Sequence, residues 1–165
     1  MTAPAVRRLA ELRMADTPEV GGKAAQLGEL IAAAAQVPDG FVLTVAAGHM
    51  PAGERSAALQ AGLADLGNGP FAVRSSGIAE DGARRSFAGM YETVLDVMRN
   101  AVPDAADRVL ASSQAVRAKA YGTASNDDMA VIVQRMVAPA AAGVEPPPGE
   151  PTPQTASTTL SGCRS

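Results

Sequence analysis

The chain has 165 residues, a formal net charge of −3, one cysteine and one histidine. That length suits one domain with a real core or two small lobes, and the charge balance offers no clustered basic surface for nucleic acid or an anionic membrane. A lone Cys163 and a lone His49 exclude an internal disulfide, a Cys-based zinc site, a multi-His metal centre and a His-paired relay.

Residues Val6 to Met14 mix apolar and charged side chains and read as a short strand. No apolar stretch there is long enough for a signal peptide, and the run from Leu30 to Val37 is too short to span a bilayer, so the expected compartment is the cytoplasm. Gly21-Gly22 opens a helix whose predicted buried face is Ala24, Leu27, Leu30, Ile31 and Ala34. Pro38-Asp39-Gly40 is turn chemistry, and Phe41 to Thr44 follows as a strand. Glu54 to Leu66 reads as a second helix with Ala58, Leu59, Leu63 and Leu66 inward, ended by the break Gly67-Asn68-Gly69-Pro70. Phe71 to Ser76 is a strand that runs into a polar loop, Gly77 to Gly89. Tyr91 to Val97 alternates as a strand, and Pro103 starts a helix to Tyr121 with Val109, Leu110, Val116 and Ala120 inward. Met129 to Val137 is an apolar run of β-formers interrupted by Gln134 and Arg135. From Glu145 to Ser165 the sequence turns Pro/Thr/Ser-rich with few large apolar residues, the composition of a disordered tail.

Two places suit an anion. Gly21-Gly22-Lys23 heads a helix, where small residues admit a ligand to the backbone and free amides attract negative charge. Thr17 and Ala24 stand where a P-loop needs Gly and Ser or Thr, so it is not a P-loop; a plain glycine turn with a solvated lysine is the competing reading. Val73-Arg74-Ser75-Ser76 delivers an arginine near a strand end before a glycine-punctuated loop, where a guanidinium bridges two phosphate oxygens. Glu80 and Asp81 in that loop either face a magnesium ion or pair locally with Arg84 and Arg85. The Val131 to Val137 strand either meets an adenine ring or is a core strand.

The order of these blocks carries more than any one of them. Val20 to Leu30, Val37 to Thr44, Phe71 to Ser76, Ala79 to Asp81, Ser86 to Thr93 and Val131 to Val137 together resemble the nucleotide-binding domain of the pyruvate phosphate dikinase family, which includes phosphoenolpyruvate synthase (pyruvate, water dikinase) and rifampicin phosphotransferase. The resemblance implies an α+β fold: an incomplete ATP-grasp-like nucleotide-binding domain, a mixed sheet with flanking helices. It implies ATP, with Mg2+ in the parent family. On this chain Lys23 and Arg74 match the triphosphate-binding residues, Gly82 and Gly89 belong to the phosphate-covering loop, and Gln134, Met136 and Val137 match the strand that meets adenine.

The departures set further expectations. The stretch between Thr44 and Phe71 is shorter than is usual in the family. After Val144 the family continues into a lobe that supplies the magnesium-binding acid, and here the Pro-rich segment follows instead, as a truncated or frameshifted reading frame would give. Residues 1–144 are thus expected to form a partial ATP-binding domain and 145–165 the tail. The phosphohistidine motif has no match at His49, and no catalytic residue is assigned. The expected function is the ATP-binding portion of a phosphoenolpyruvate synthase-like phosphotransferase, not catalytically complete alone and suited to a separately encoded remainder as partner. The alternatives are a rifampicin phosphotransferase-like fragment and a non-catalytic nucleotide-binding or remnant module.

Overall fold

A computed structural model describes residues 4–78, 93–121 and 129–138, with side chains on the long helix described as far as Ser112. Among the described residues five strands form one sheet: β1 (Val6–Arg8), β2 (Gly40–Leu43), β3 (Phe71–Gly77), β4 (Thr93–Val97) and β5 (Met129–Arg135), in the order β1-β2-β5-β3-β4. The helices are α1 (Thr17–Val20), α2 (Gly22–Ala32), α3 (Val45–Gly48), α4 (Ala52–Leu63) and α5 (Val102–Tyr121). The α+β class stands as expected.

Strand direction differs from expectation, because all four pairings are antiparallel rather than mixed. The reason is topological. β2 and β3 run parallel to each other, and β5 lies between them, antiparallel to both. Five of its residues, Met129 to Val133, are apolar and all are buried, so β5 is the central strand. Burial on both faces explains why this run lacks polar alternation.

Each face of the sheet has its own core. Phe41, Leu43, Phe71, Val73, Val131 and Val133 pack under Leu59 and Leu63 of α4 and Val102, Ala106 and Val109 of α5. On the other face, Val42, Ala130 and Ile132 meet Ala24 and Ala25 of α2, together with Leu9, Leu12 and Val20.

Three local expectations are corrected. Only Val6–Arg8 is strand; two 3-10 turns, Leu9–Glu11 and Met14–Asp16, follow because Leu9 and Leu12 must turn down into the second core. The buried face of α2 is Gly22, Ala24, Ala25 and Gly28, while Leu30 is 49% exposed and Ala34 lies beyond the helix. Small residues win that face because the helix lies directly on the chain at Leu12: a Cβ at Gly28 would stand 2.3 Å from the Leu12 carbonyl oxygen. Finally, the strand expected over Phe41 to Thr44 is Gly40–Leu43, because Thr44 turns the chain into α3 and its hydroxyl accepts the Ala47 amide at 3.4 Å, an N-cap. α4 ends at Leu63, short of the predicted Leu66; Leu59 and Leu63 on it and Leu66 beyond it are buried, and Ala58 is half-buried.

The end of α2 shows a second close fit. Ala34 donates its amide to Ile31 and Ala35 to Leu30, a Schellman closure that requires Ala34 at φ +60°. Among the described residues, no helix is long and apolar enough to cross a membrane.

Candidate functional site: a two-cation end on the α2 side of the sheet

The site begins at the junction of α1 and α2. Gly21 turns the chain with φ +76° and ψ 163°, a region closed to residues with a Cβ. Space closes it too: a Cβ there would lie 2.2 Å from the Ser76 carbonyl oxygen and 2.4 Å from its Oγ. This close approach lets the Ala24 amide, in the first turn of α2, donate to Ser76 Oγ at 3.1 Å. A helix leaves its first amides without internal acceptors, and here a strand residue distant in sequence takes one of them. Ser76 itself is fully buried.

Lys23 precedes Ala24 and is exposed. Arg74 stands two residues before Ser76 on β3, on the same face and half-buried, opposite Ile132 of β5 and Thr93 of β4. Two strand residues span about 7 Å. The helix turn that carries Lys23 and the strand that carries Arg74 therefore meet at one serine, beside the positive end of the helix dipole. An anion with several oxygens fits this arrangement, since the guanidinium offers paired donors and the ammonium a point charge.

The junction is braced from behind. Arg7 on β1 donates to Asp16 at 2.8 Å and to Glu19 at 3.2 Å, which ties the turn before α1 and α1 itself to the sheet. The Arg7 hydrogen bond holds the Asp16 carboxyl below its usual range, and the same bond holds the Arg7 guanidinium above its own. The second oxygen of Glu19, Oε1, is buried without a hydrogen-bond partner.

The expected adenine segment lies at the other end of the same strands. Gln134, opposite Ala72, is buried, and its amide nitrogen donates to the Pro38 carbonyl at 3.0 Å. Met136 donates its amide to the Pro70 carbonyl at 3.0 Å, and its Sδ accepts the Asp96 amide at 3.1 Å. Val137 is 64% exposed. Gly82 and Gly89 lie outside the described residues, as do Glu80, Asp81, Arg84 and Arg85. His49 closes α3 at the surface. Among the described residues, no three His, Cys, Asp or Glu side chains gather as metal ligands.

Nothing local in the sequence marks the role of Ser76. The pair Ser75-Ser76 at a strand end was visible, but a hydroxyl that caps a helix some fifty residues away leaves no local signature.

A family profile, pyruvate phosphate dikinase, AMP/ATP-binding domain, matches residues 54–145. The chain is 35% identical over 156 residues to prodigiosin synthesizing transferase PigC of Serratia marcescens, an alignment covering 76% of this chain and 18% of the relative. It is 34% identical over 143 residues to rifampicin phosphotransferase of a Streptomyces species, covering 83% and 15%. It is 32% identical over 181 residues to phosphoenolpyruvate synthase of Aeropyrum pernix, covering 77% and 22%. The chain thus spans about a fifth of the length of these relatives. Arg74, Gln134, Met136 and Val137 fall inside the profile match, and Lys23 precedes it. With β3, β4, α5 and β5 all inside a match that covers more than half of its residues, the chain belongs to the pyruvate phosphate dikinase AMP/ATP-binding domain family.

Proposed function

We propose that this chain is the ATP-binding portion of a phosphoenolpyruvate synthase-like phosphotransferase, with Lys23 and Arg74 on the triphosphate. One observation supports the reading: the Ala24–Ser76 hydrogen bond joins the start of α2, next to Lys23, to the end of β3, two residues from Arg74. Family membership supplies the nucleotide, and the geometry supports where its phosphates bind. Gly82 and Gly89 join the site as the phosphate-covering loop, and Gln134 to Val137 as the base segment.

Residues 1–144 form the nucleotide portion and 145–165 a separate tail; the profile match, which stops at residue 145, supports that boundary. In this reading these residues hold and orient phosphate, and no catalytic residue is assigned among them. The described residues offer no ligand set for Mg2+. The acceptor is pyruvate in this reading, and the similarity to phosphoenolpyruvate synthase supports it; the rifampicin phosphotransferase similarity supports a drug acceptor equally.

Isothermal titration of the whole chain with ATP and excess Mg2+ tests the proposal. Binding that weakens in both Lys23→Ala and Arg74→Ala supports it. Absence of heat at millimolar ATP, or unchanged affinity in both variants, overturns the assignment.

A further inference from the structure

The far end of β3 and β5 differs from the phosphate end in kind. Of the large apolar residues that stand exposed among the described residues, Leu95 (57%), Met98 (56%) and Val137 (64%) gather there, around the contact between β4 and Met136. Between the pairs Val73–Val94 and Phe71–Val97, β4 places two residues, Leu95 and Asp96, against the single Ala72 of β3. This is a β-bulge, a device that re-aims backbone groups near sites. Its second residue, Asp96, has φ +55°, a left-handed conformation that a short polar side chain tolerates but does not prefer. The amide it turns outward reaches a sulfur, Met136 Sδ, at 3.1 Å.

A thioether is a weak acceptor on a side chain with three free torsions. Without a partner, Met136 would sample several rotamers at the end of the central strand. The Asp96 amide selects one of them. Met136 in turn is anchored through its own amide to Pro70, four residues from Arg74 along β3, a span of about 13 Å. One strand therefore separates a cationic end from an apolar, pre-set end, as a flat base joined through a sugar to a polyphosphate requires.

We infer that the β4 bulge positions the base end of the nucleotide site: the Asp96 amide fixes the Met136 thioether, and Met136 with Leu95 forms the apolar shelf that receives a purine ring. Leu95 is a specificity residue in this scheme, and Asp96 a positioning residue that acts through Met136. The inference rests on the nucleotide reading above and adds to it residues of β4 that no family block in the sequence marks for this role.

The test separates base from phosphate. The whole 165-residue chain is titrated with Mg-ATP and, in parallel, with inorganic tripolyphosphate, which carries the anion without the ring. Leu95→Ser is expected to weaken ATP binding about fivefold. Met136→Ala is expected to weaken it about tenfold, and Met136→Leu, which keeps the volume but loses the acceptor, about threefold. Tripolyphosphate affinity stays within about twofold in all three, whereas Arg74→Ala weakens both ligands. Melting curves confirm that each variant is folded. Two results overturn the inference: ATP affinity unchanged in Leu95→Ser and Met136→Ala, or equal losses for both ligands, which would mark a purely structural role. Tripolyphosphate bound by the parent chain as tightly as ATP preserves the phosphate end and overturns the shelf. A parent chain that binds neither ligand overturns the nucleotide reading itself.

Discussion

Ser76 Oγ accepts the Ala24 amide at 3.1 Å, and a Cβ on Gly21 would collide with the same serine at 2.2 Å. The helix start and the strand end are therefore one unit. Ser76→Ala should cost about 1–2 kcal/mol, the usual loss for an N-cap acceptor. Gly21→Ala should cost more, about 3 kcal/mol, because it adds a backbone conformation closed to alanine to a backbone collision. Urea denaturation of the two variants checks the order, and a smaller loss for Gly21→Ala would refute the close packing.

If Arg74 holds the triphosphate as proposed, charge alone should not replace it. Its fork matches two phosphate oxygens at once, whereas lysine offers a point charge. Arg74→Ala should lose about 1.5–3 kcal/mol of ATP binding, or about 10- to 150-fold. Arg74→Lys should recover only part of that loss. Titration of both variants gives the comparison, and full recovery by lysine would show that the fork is not used.

Ala34 closes α2 in a conformation better suited to glycine, at φ +60°. The left-handed region costs a Cβ-bearing residue about 1–2 kcal/mol, offset in part by the greater chain entropy of glycine. Ala34→Gly should therefore stabilise the protein by about 0.5–1 kcal/mol, visible as a higher melting temperature. No gain would mean that the Schellman closure is absent in solution.

Acid should loosen the brace behind the site. Asp16 titrates below its usual range in the fold because Arg7 bonds its charged form. Its stabilising effect is thus present at pH above the ordinary aspartate range, near 4, and is lost as pH falls through the lower folded value. Stability measured from pH 6 down to 2 should decline less steeply in Asp16→Asn than in the parent chain. Equal slopes would show that the Arg7 pair is not formed.

How far the sequence was legible depends on range. The strand at Phe71, the central strand at Met129 and the helix ends at Gly22 and Tyr121 follow from local pattern and turn chemistry, and they are where that pattern puts them. The inward face of α2 was misread because periodicity favours large residues, whereas close contact with Leu12 favours small ones. The all-antiparallel sheet was invisible for a similar reason: nothing local in Met129 to Arg135 says that this strand enters between two others. In the site, Lys23 and Arg74 were marked by chemistry and order, while Ser76 and Asp96 act through partners dozens of residues away. Gln134 lies where the pattern put it, but its amide holds the Pro38 turn.

The place of β5 has a consequence for synthesis. Until the ribosome has released the chain past Arg135, β1-β2 and β3-β4 are two separate hairpin-like pairs with no strand between them. The sheet cannot close gradually from its N-terminal end; it closes in one late event, when a strand almost ninety residues downstream of β2 enters the gap. Contacts of such long range form slowly and leave strand edges open in the meantime. Nascent chains stalled before Met129 should therefore be protease-sensitive throughout, including the segment that carries Lys23 and the strand that carries Arg74.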